Sequence, residues 1–249
     1  MTLPAFNYRE WSEQILRQLA PLDARARVVF AASCAEQLLP TYVTFSRIEM
    51  WGDVGVVRGA LAMAWEFARG SAVRSERVHE VGHRLERVAP SLEDFRPLLS
   101  AVALRAVDAA NEALCICGDS DARHALTAAD DCREAVANYL FQLRDPSEDE
   151  MQADPMMRQE LDRQQALLAG LAGNPLETTL IDEVRRSVGE EWADELARRV
   201  LELTEAKYPK TEAFMRSTIH APVCRASADR PLDLATEYKA PNSAGRRSS

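Results

Sequence analysis

The stretch that decides the fold runs from Val28 to Gly70 and reads VVFAASCAEQLLPTYVTFSRIEMWGDVGVVRGALAMAWEFARG. Apolar and aromatic residues are densest here, and small residues recur at helical spacings. The pattern predicts one helix that stops at Pro40, a short aromatic turn, a corner at Gly52 and a second helix that ends at Gly70. We expect this helical hairpin to be the core of the protein.

Helical periodicity extends through most of the remaining chain, and no alternating pattern of useful length indicates a strand. Residues 7–20 form an amphipathic pattern, and later helices are predicted to end before Pro90, at Gly118, near Leu143 and before Pro209. Asp154-Pro155 and Asn174-Pro175 combine a capping residue with a proline and predict two further helix starts. The sequence therefore predicts an all-α, single-domain, multi-helix bundle of about eight or nine helices.

The periodicity also suggests boundaries along the chain. We expect an N-terminal helical extension over 1–25, a helical core domain over 26–188 and a C-terminal helical extension over 189–220. Residues 221–249 lack periodicity and are rich in Pro, Ser, Arg and Lys, so they are predicted to be a disordered tail.

Composition narrows the classes of function. The chain has 249 residues, is 47% hydrophobic, and carries 39 acidic against 30 basic residues for a formal charge of −9. A general nucleic-acid or anionic-membrane binder needs clustered cations, so we expect neither. A basic protein partner remains open beside the plainer interpretation that the acidic excess serves solubility.

The five cysteines form no even disulfide framework, no basic-then-apolar signal opens the sequence, and no apolar run approaches the ~20 residues of a membrane span. We therefore expect a bacterial cytoplasmic protein. Cys115-x-Cys117 lies two apart on a predicted helix, so the two thiols point in different directions and are predicted to be buried and inert. Cys34 and Cys132 have no neighbouring histidine to serve as a base.

One stretch, His79-Glu80-Val81-Gly82-His83, matches the H-E-x-x-H pattern of zinc peptidases, in which two histidines bind the metal and the glutamate is the general base. The apolar stripe of this helix contains Val78 and Val81, which places the histidines on the opposite, solvated side. Arginines share that side and would repel Zn²⁺. A charged surface helix without metal is the favoured interpretation, and no cofactor is expected.

The core stretch also contains an unusual charge. Arg58 lies about 20° from Trp65 in helical projection, so it is predicted to point inward and to need a buried anion. Glu36 on the preceding helix is the favoured partner. The predicted cluster comprises Glu36, Tyr42, Trp51, Asp53, Arg58 and Glu66. Two interpretations stay open, a structural ion pair that fixes how the helices dock and a cleft for an anionic ligand or partner.

The same block resembles the YjaG-like bacterial proteins, domain-of-unknown-function family 416. The residues that carry the resemblance are Phe30, Glu36, Pro40-x-Tyr42, Phe45, Trp51-Gly52-Asp53, Arg58, Trp65-Glu66, Pro90-Ser91 and Asp94-Phe95. The shared pattern spans Val28 to about Val188. The resemblance implies an all-helical fold, and the family has no settled activity.

Two functions follow from the sequence. The first is a non-enzymatic protein-interaction module or complex subunit, because no convergent catalytic set is visible. The alternative is a zinc-dependent hydrolase built on His79, Glu80 and His83.

Overall fold

Two long helices, α2 (Ala24–Glu49) and α5 (Pro97–Asp119), lie against each other at the centre of this computed structural model, which describes residues 7–173, 175–188 and 190–209. Both helices bury several alanines, including Ala31 and Ala35 on α2 and Ala106 and Ala110 on α5. Small side chains at a helix contact allow the two axes to approach closely. The pair forms the frame on which the other helices pack.

The described residues contain ten helices and no strand, which confirms the all-α prediction. Nine are ten residues or longer, and the exception, α7, has six residues. The other helices are α1 (Tyr8–Leu19), α3 (Val54–Ala68), α4 (Ser75–Val88), α6 (Ala122–Arg144), α7 (Glu148–Ala153), α8 (Pro155–Gly173), α9 (Thr178–Ser187) and α10 (Glu190–Lys207). The predicted tail over 221–249 lies outside the described residues.

Proline 40 does not end the first core helix, so the predicted stop and the aromatic turn after it are wrong. Helix α2 continues through Pro40 to Glu49, and Tyr42 and Phe45 are fully buried in its last turns. A proline inside a helix costs about 3 kcal/mol, whereas burying one aromatic or aliphatic side chain contributes about 1.5–3 kcal/mol. The burial of two aromatic rings outweighs the lost backbone hydrogen bond.

Most of the other predicted helix ends and caps are confirmed. Gly70 adopts φ +101° directly after α3, and the Asp154 side chain accepts a hydrogen bond from the backbone N–H of Met156 at 2.8 Å. Helix α4 ends at Val88, before Pro90. Helix α9 differs, since it begins at Thr178 instead of Pro175.

The N-terminal and C-terminal helices share the central core. On α1, Trp11, Ile15 and Leu19 are buried, and the Arg133 guanidinium of α6 lies 5.1 Å from the centre of the Tyr8 ring. On α10, Leu196 and Val200 are fully buried. One continuous apolar cluster therefore includes residues of both predicted extensions.

By length and composition alone, α2 also has the dimensions of a membrane-crossing helix. Its most apolar window has a mean hydropathy of 1.2, yet 72% of that window is buried inside the fold. Such burial is typical of the central helix of a globular domain, and this feature alone is weak evidence for a membrane span.

Candidate functional site

The corner between α2 and α3 is built around the hydroxyl group of Tyr42. This hydroxyl donates to the backbone oxygen of Val88 at 2.8 Å and accepts from the backbone N–H of Asp53 at 3.3 Å. Gly52 adopts φ +83°, and the Asp53 carboxylate caps α3 by accepting from the N–H of Gly55 at 2.8 Å. Burial raises the pKa of Tyr42 strongly, so its hydroxyl stays protonated and keeps donating.

Aromatic rings surround this corner and make it rigid. Phe45 and Phe95 meet edge to face with centroids 5.0 Å apart, and Trp51 lies 5.2 Å from Phe95 and 6.0 Å from Phe45. Aromatic pairs at these separations stabilise beyond the area they bury. Tyr42, Trp51 and Asp53 therefore form a packed joint, and their contacts are with the protein itself.

Arg58 is exposed and does not pair with Glu36, so the predicted inward ion pair is wrong. The partner of Glu36 is Arg185 on α9, whose Nη2 lies 3.0 Å from the Glu36 carboxylate. The Arg185 guanidinium also lies 5.5 Å from the centre of the Trp65 ring. Glu36 and Trp65 thus belong to the contact that docks α9.

The helical projection explains the error. Val57, Leu61, Ala64 and Ala68 mark the middle of the buried face of α3. Trp65 lies at the edge of that face and is buried beneath Arg185. Arg58 projects about 20° further outward and about 10 Å nearer the start of α3. Arg185 covers Trp65 in the C-terminal part of α3, whereas Arg58 lies nearer the start of the helix and is exposed.

Glu66 is more than half exposed and pairs with Arg69 at 3.2 Å. Arg69 in turn binds Asp182 of α9 at 2.7 Å. Hydrogen bonds and charge from Asp182 and Glu66 raise the pKa of Arg69, with burial opposing them. The predicted cluster is therefore divided between the Tyr42 corner and the α9 contact, with Arg58 in neither.

The His79-Glu80-x-x-His83 residues lie on the exposed face of α4, as the apolar stripe indicated. Glu80 pairs with Arg77 at 2.6 Å, and the Nδ1 atom of His83 lies 3.0 Å from Glu86. No group of three or more His, Cys, Asp or Glu side chains within the described ranges has a geometry that could hold a metal ion. These observations provide no support for a zinc centre.

A buried ion pair that was not predicted joins the end of α2 to the start of α5. The Arg96 Nε atom donates to Glu49 at 2.6 Å, and their side chains are 5% and 1% exposed. A cavity of about 430 Å³ opens beside this pair, lined by Arg47, Ile48, Met50, Arg96, Glu205 and Pro209. Glu49 and Arg96 lie 47 positions apart with α3 and α4 between them, so sequence spacing carried no signal for their pairing.

A second buried polar group connects α2, α6 and α8. The Glu160 carboxylate is fully buried and accepts from Gln37, from Gln164 and twice from Arg163, at 2.7–3.1 Å. Gln164 also donates to the backbone oxygen of Ala129 at 2.9 Å. A buried carboxylate that accepts four hydrogen bonds fixes the position of α8 on the core.

The α5 and α6 helices enclose an acidic group with one histidine. His124 contacts Glu112 through Nδ1 at 2.5 Å and Asp119 through Nε2 at 3.0 Å. Burial acts to lower the pKa of His124, but the hydrogen bonds to the two carboxylates outweigh it and raise that pKa. Burial, reinforced by Asp108, raises the pKa of Asp131 to about 8.

The end of α6 presents a surface that combines apolar and acidic groups. Phe141 and Leu143 are 54% and 45% exposed, unusual values for large apolar side chains on a packed helix. The next residues carry the exposed acids Asp145, Glu148, Asp149 and Glu150. We call this surface, formed by Phe141, Leu143, Asp145, Glu148, Asp149 and Glu150, the acidic edge; it extends around the end of α6, because Phe141 and Leu143 lie two apart and point to different sides of the helix.

The acidic edge has little internal charge compensation. Glu150 reaches back to Ser147 in a capping box, and Arg144 is neutralised by Asp154 at 2.7 Å. Lys207 donates to the backbone oxygen of Gln142 and supplies a positive charge there. In the part of the chain that the structure describes, Asp145, Glu148 and Asp149 have no ion pair. The negative end of the α6 dipole lies beside Asp145, whereas the N-terminus of α7 stabilises Glu148 and Asp149 in its first turn.

The sequence analysis did not identify this surface. The run of acidic residues is visible in the sequence, but the exposure of Phe141 and Leu143 is not. Their exposure depends on where the neighbouring helices end.

Fold and site together define an all-helical domain with a packed aromatic corner, buried polar contacts between helices and an open acidic edge. The family model for DUF416, proteins of unknown function, matches residues 14–193, so this chain belongs to the DUF416 family. The match extends beyond the predicted core of 26–188 at both ends and confirms the resemblance found in the sequence.

A crystal structure of a DUF416 family protein from Shewanella baltica OS155 is similar to this fold. The TM-score is 0.65 at 24% sequence identity, over 71% of this chain and 93% of that one. No curated protein matches the sequence. At this identity the likeness shows the helical fold alone.

Proposed function

We propose that the protein is a non-enzymatic interaction module of the bacterial cytoplasm that binds a basic protein partner through the acidic edge. The observation that carries the proposal is the exposure of Phe141 and Leu143 at the end of α6, followed within a few residues by exposed carboxylates that lack ion pairs in the described structure. Exposed apolar groups rimmed by charge are typical of protein interaction surfaces.

Charge complementarity defines the partner. The residues after 209 include seven basic and four acidic side chains, so the acidic excess of the whole chain resides in the preceding part. A partner with Lys or Arg flanking an apolar side chain would pair with Glu148 and Asp149 while covering Phe141. Such steering raises the association rate and weakens with salt.

The test begins with crosslinking and affinity capture from the native host, followed by purification of the captured protein. Binding of that protein to Glu148→Lys/Asp149→Lys should be weaker than to the parent by about tenfold or more, because a rim attraction becomes a repulsion. Phe141→Ser/Leu143→Ser should also bind more weakly. Calorimetric titration at two salt concentrations measures both effects.

The matched control is Glu93→Lys/Asp94→Lys, which makes the same charge change at an exposed Glu-Asp pair between α4 and α5. This control should bind like the parent. If the edge variants and the control bind the captured protein equally well, the acidic edge is not the interaction surface.

A further inference from the structure

Two thiols meet where α2 crosses α6. The Cys132 thiol donates to the backbone oxygen of Cys34 at 3.2 Å, so the two cysteines are in direct contact. Both residues are fully buried, and alanines surround them on both helices, including Ala31, Ala35 and Ala129. The small neighbours allow the close backbone approach that a bond between two sulfurs requires.

The third member of this group is Arg163 of α8. Its Nη2 atom lies 3.8 Å from the Cys34 sulfur, while its side chain is 23% exposed. Arg163 is thus a partly exposed residue that contacts the Cys34 sulfur. Because Cys34 is fully buried and Arg163 also binds the buried Glu160 carboxylate, a small oxidant reaches the sulfur through local opening of this contact.

The four described cysteines have different electrostatic environments. The hydrogen bond from Cys132 lowers the pKa of Cys34, burial opposes this, and the charge of Arg163 lowers it further. Burial raises the pKa of Cys132 well above its ordinary value. Burial also raises the pKa of Cys115 to about 11 and that of Cys117 to about 12. Since the thiolate is the reactive form and the Arg163 guanidinium contacts the Cys34 sulfur, Cys34 is the favoured nucleophile.

We infer that Cys34 and Cys132 form a redox modification site, at which a hydroperoxide oxidises Cys34 and the Cys132 sulfur then closes a disulfide between α2 and α6. In the first step the Cys34 thiolate attacks the peroxide, the O–O bond breaks, and a sulfenic acid and an alcohol or water result. In the second step the Cys132 sulfur attacks the sulfenic sulfur, the S–O bond breaks, and water leaves. The two sulfurs supply the two electrons that reduce the peroxide.

The groups that surround Cys34 could not be predicted from sequence spacing. Cys34 and Cys132 lie 98 positions apart, and no histidine adjoins either of them in sequence. The activating groups are instead a second thiol and an arginine from a third helix. Disulfide formation removes the Cys34 thiol from its contact with Arg163.

The direct test treats the full chain with hydrogen peroxide and maps its tryptic peptides without reduction. Cys34 lies in the peptide 28–47 and Cys132 in the peptide 124–133, whereas Cys115 and Cys117 share the peptide 106–123. We expect a linked product of 28–47 with 124–133. A product confined to 106–123, or oxygen added to Cys34 without a link, would overturn the inference.

A variant with Cys115, Cys117 and Cys224 replaced by Ser isolates the pair. Peroxide should reduce its titratable thiols from two to none, with the loss of two hydrogen atoms in the intact mass. Adding Cys132→Ser should yield a sulfenic acid at Cys34, and adding Cys34→Ser should leave Cys132 unreacted. If these variants do not fold, the peptide map of the parent chain decides.

Arg163 provides a test of mechanism. Arg163→Met should slow disulfide formation by about tenfold and shift its pH dependence upward, because the thiolate loses a cation. Arg163→Lys keeps the charge and should stay within about threefold of the parent. Equal rates and equal pH profiles for all three proteins would show that Arg163 does not activate Cys34.

Discussion

Gly52 leaves no room for a side chain. A Cβ atom there would lie 2.5 Å from the Tyr42 hydroxyl oxygen, and its φ of +83° disfavours any other residue. Gly52→Ala should lower the free energy of unfolding by about 2–4 kcal/mol, because Tyr42 must move and leave the Val88 oxygen and the Asp53 N–H unpaired. Denaturant unfolding measures the change.

Gly70 supplies the matched control for that substitution. Its φ is +101°, but a Cβ atom there would meet nothing within 4 Å. Gly70→Ala should therefore cost only the backbone strain, about 1 kcal/mol. Equal losses at the two positions would show that the Tyr42 contact does not restrict Gly52.

Asp131 should make the free energy of unfolding fall as the pH rises. Its side chain is 4% exposed, it accepts from Arg105 at 3.2 Å, and its Oδ2 atom has no hydrogen-bond partner within the described structure. Its pKa of about 8 lies above the unfolded value of about 3.9, so the folded state holds the extra proton between them. Its contribution to stability therefore falls as the pH rises, by at most about 1.4 kcal/mol per pH unit.

Asp131→Asn should abolish this contribution while keeping an oxygen that can accept from Arg105. Measured by denaturant unfolding, the variant should gain stability relative to the parent between about pH 5 and pH 8. A difference between the two proteins that is constant across this range would contradict the raised pKa.

At the scale of elements, Glu36 pairs with Arg185 and not with the predicted Arg58. This difference shows what a helical pattern can and cannot predict. The pattern correctly placed Trp65 on the buried face of α3. It did not resolve the edge of that face, where burial depends on whether a distant helix covers the residue. Arg185 lies 149 positions from Glu36, and spacing along one helix cannot show such a contact.

We expect Arg58→Ala and Arg185→Ala to have different effects on the free energy of unfolding. Arg58 is exposed, so its loss should change the free energy of unfolding by less than about 0.5 kcal/mol. Arg185 combines a partly exposed ion pair with a cation–π contact, so its loss should cost about 1–2 kcal/mol. Urea unfolding followed by tryptophan fluorescence compares them, and a larger loss at Arg58 would restore the inward assignment.

Pro40 shows the same limit for helix boundaries. Proline rules identify where a helix loses a hydrogen bond, but they do not measure the packing on either side. Tyr42 and Phe45 are buried because α2 continues past the proline, and that burial depends on contacts with Phe95 and Val88 far along the chain. The corner at Gly52 was predictable, since its conformational requirement is local.

At the scale of the molecule, the all-α fold followed from periodicity, whereas the polar contacts between helices did not. Glu160 accepts from Gln37, 123 positions away, and Arg96 binds Glu49 across 47 positions. The local sequence around each of these residues is typical of an ordinary helix or loop. Periodicity identifies the apolar face of each helix, but it does not determine which helices meet there.

This organisation predicts an order of local opening. Helices α2 and α5 contribute many fully buried residues to the core, α9 contributes Ile181, and α7 contributes none. A ten-residue helix is marginal without tertiary support, so α9 depends on Ile181 and on its contacts with Glu36, Trp65 and Arg69. Amide hydrogen exchange should therefore be slowest in α2 and α5, faster in α9 and fastest in α7.

The α9 contacts can be separated from global stability in the same experiment. Arg185→Ala should speed exchange in α9 by about tenfold while leaving α8, held by Glu160 and Arg163, close to the parent, because a loss of about 1.4 kcal/mol in a local opening is tenfold in rate. A uniform acceleration across α2, α5 and α9 would mean that α9 opens only when the whole domain unfolds. Protection in α9 equal to that in α5 in the parent protein would contradict the predicted order of opening.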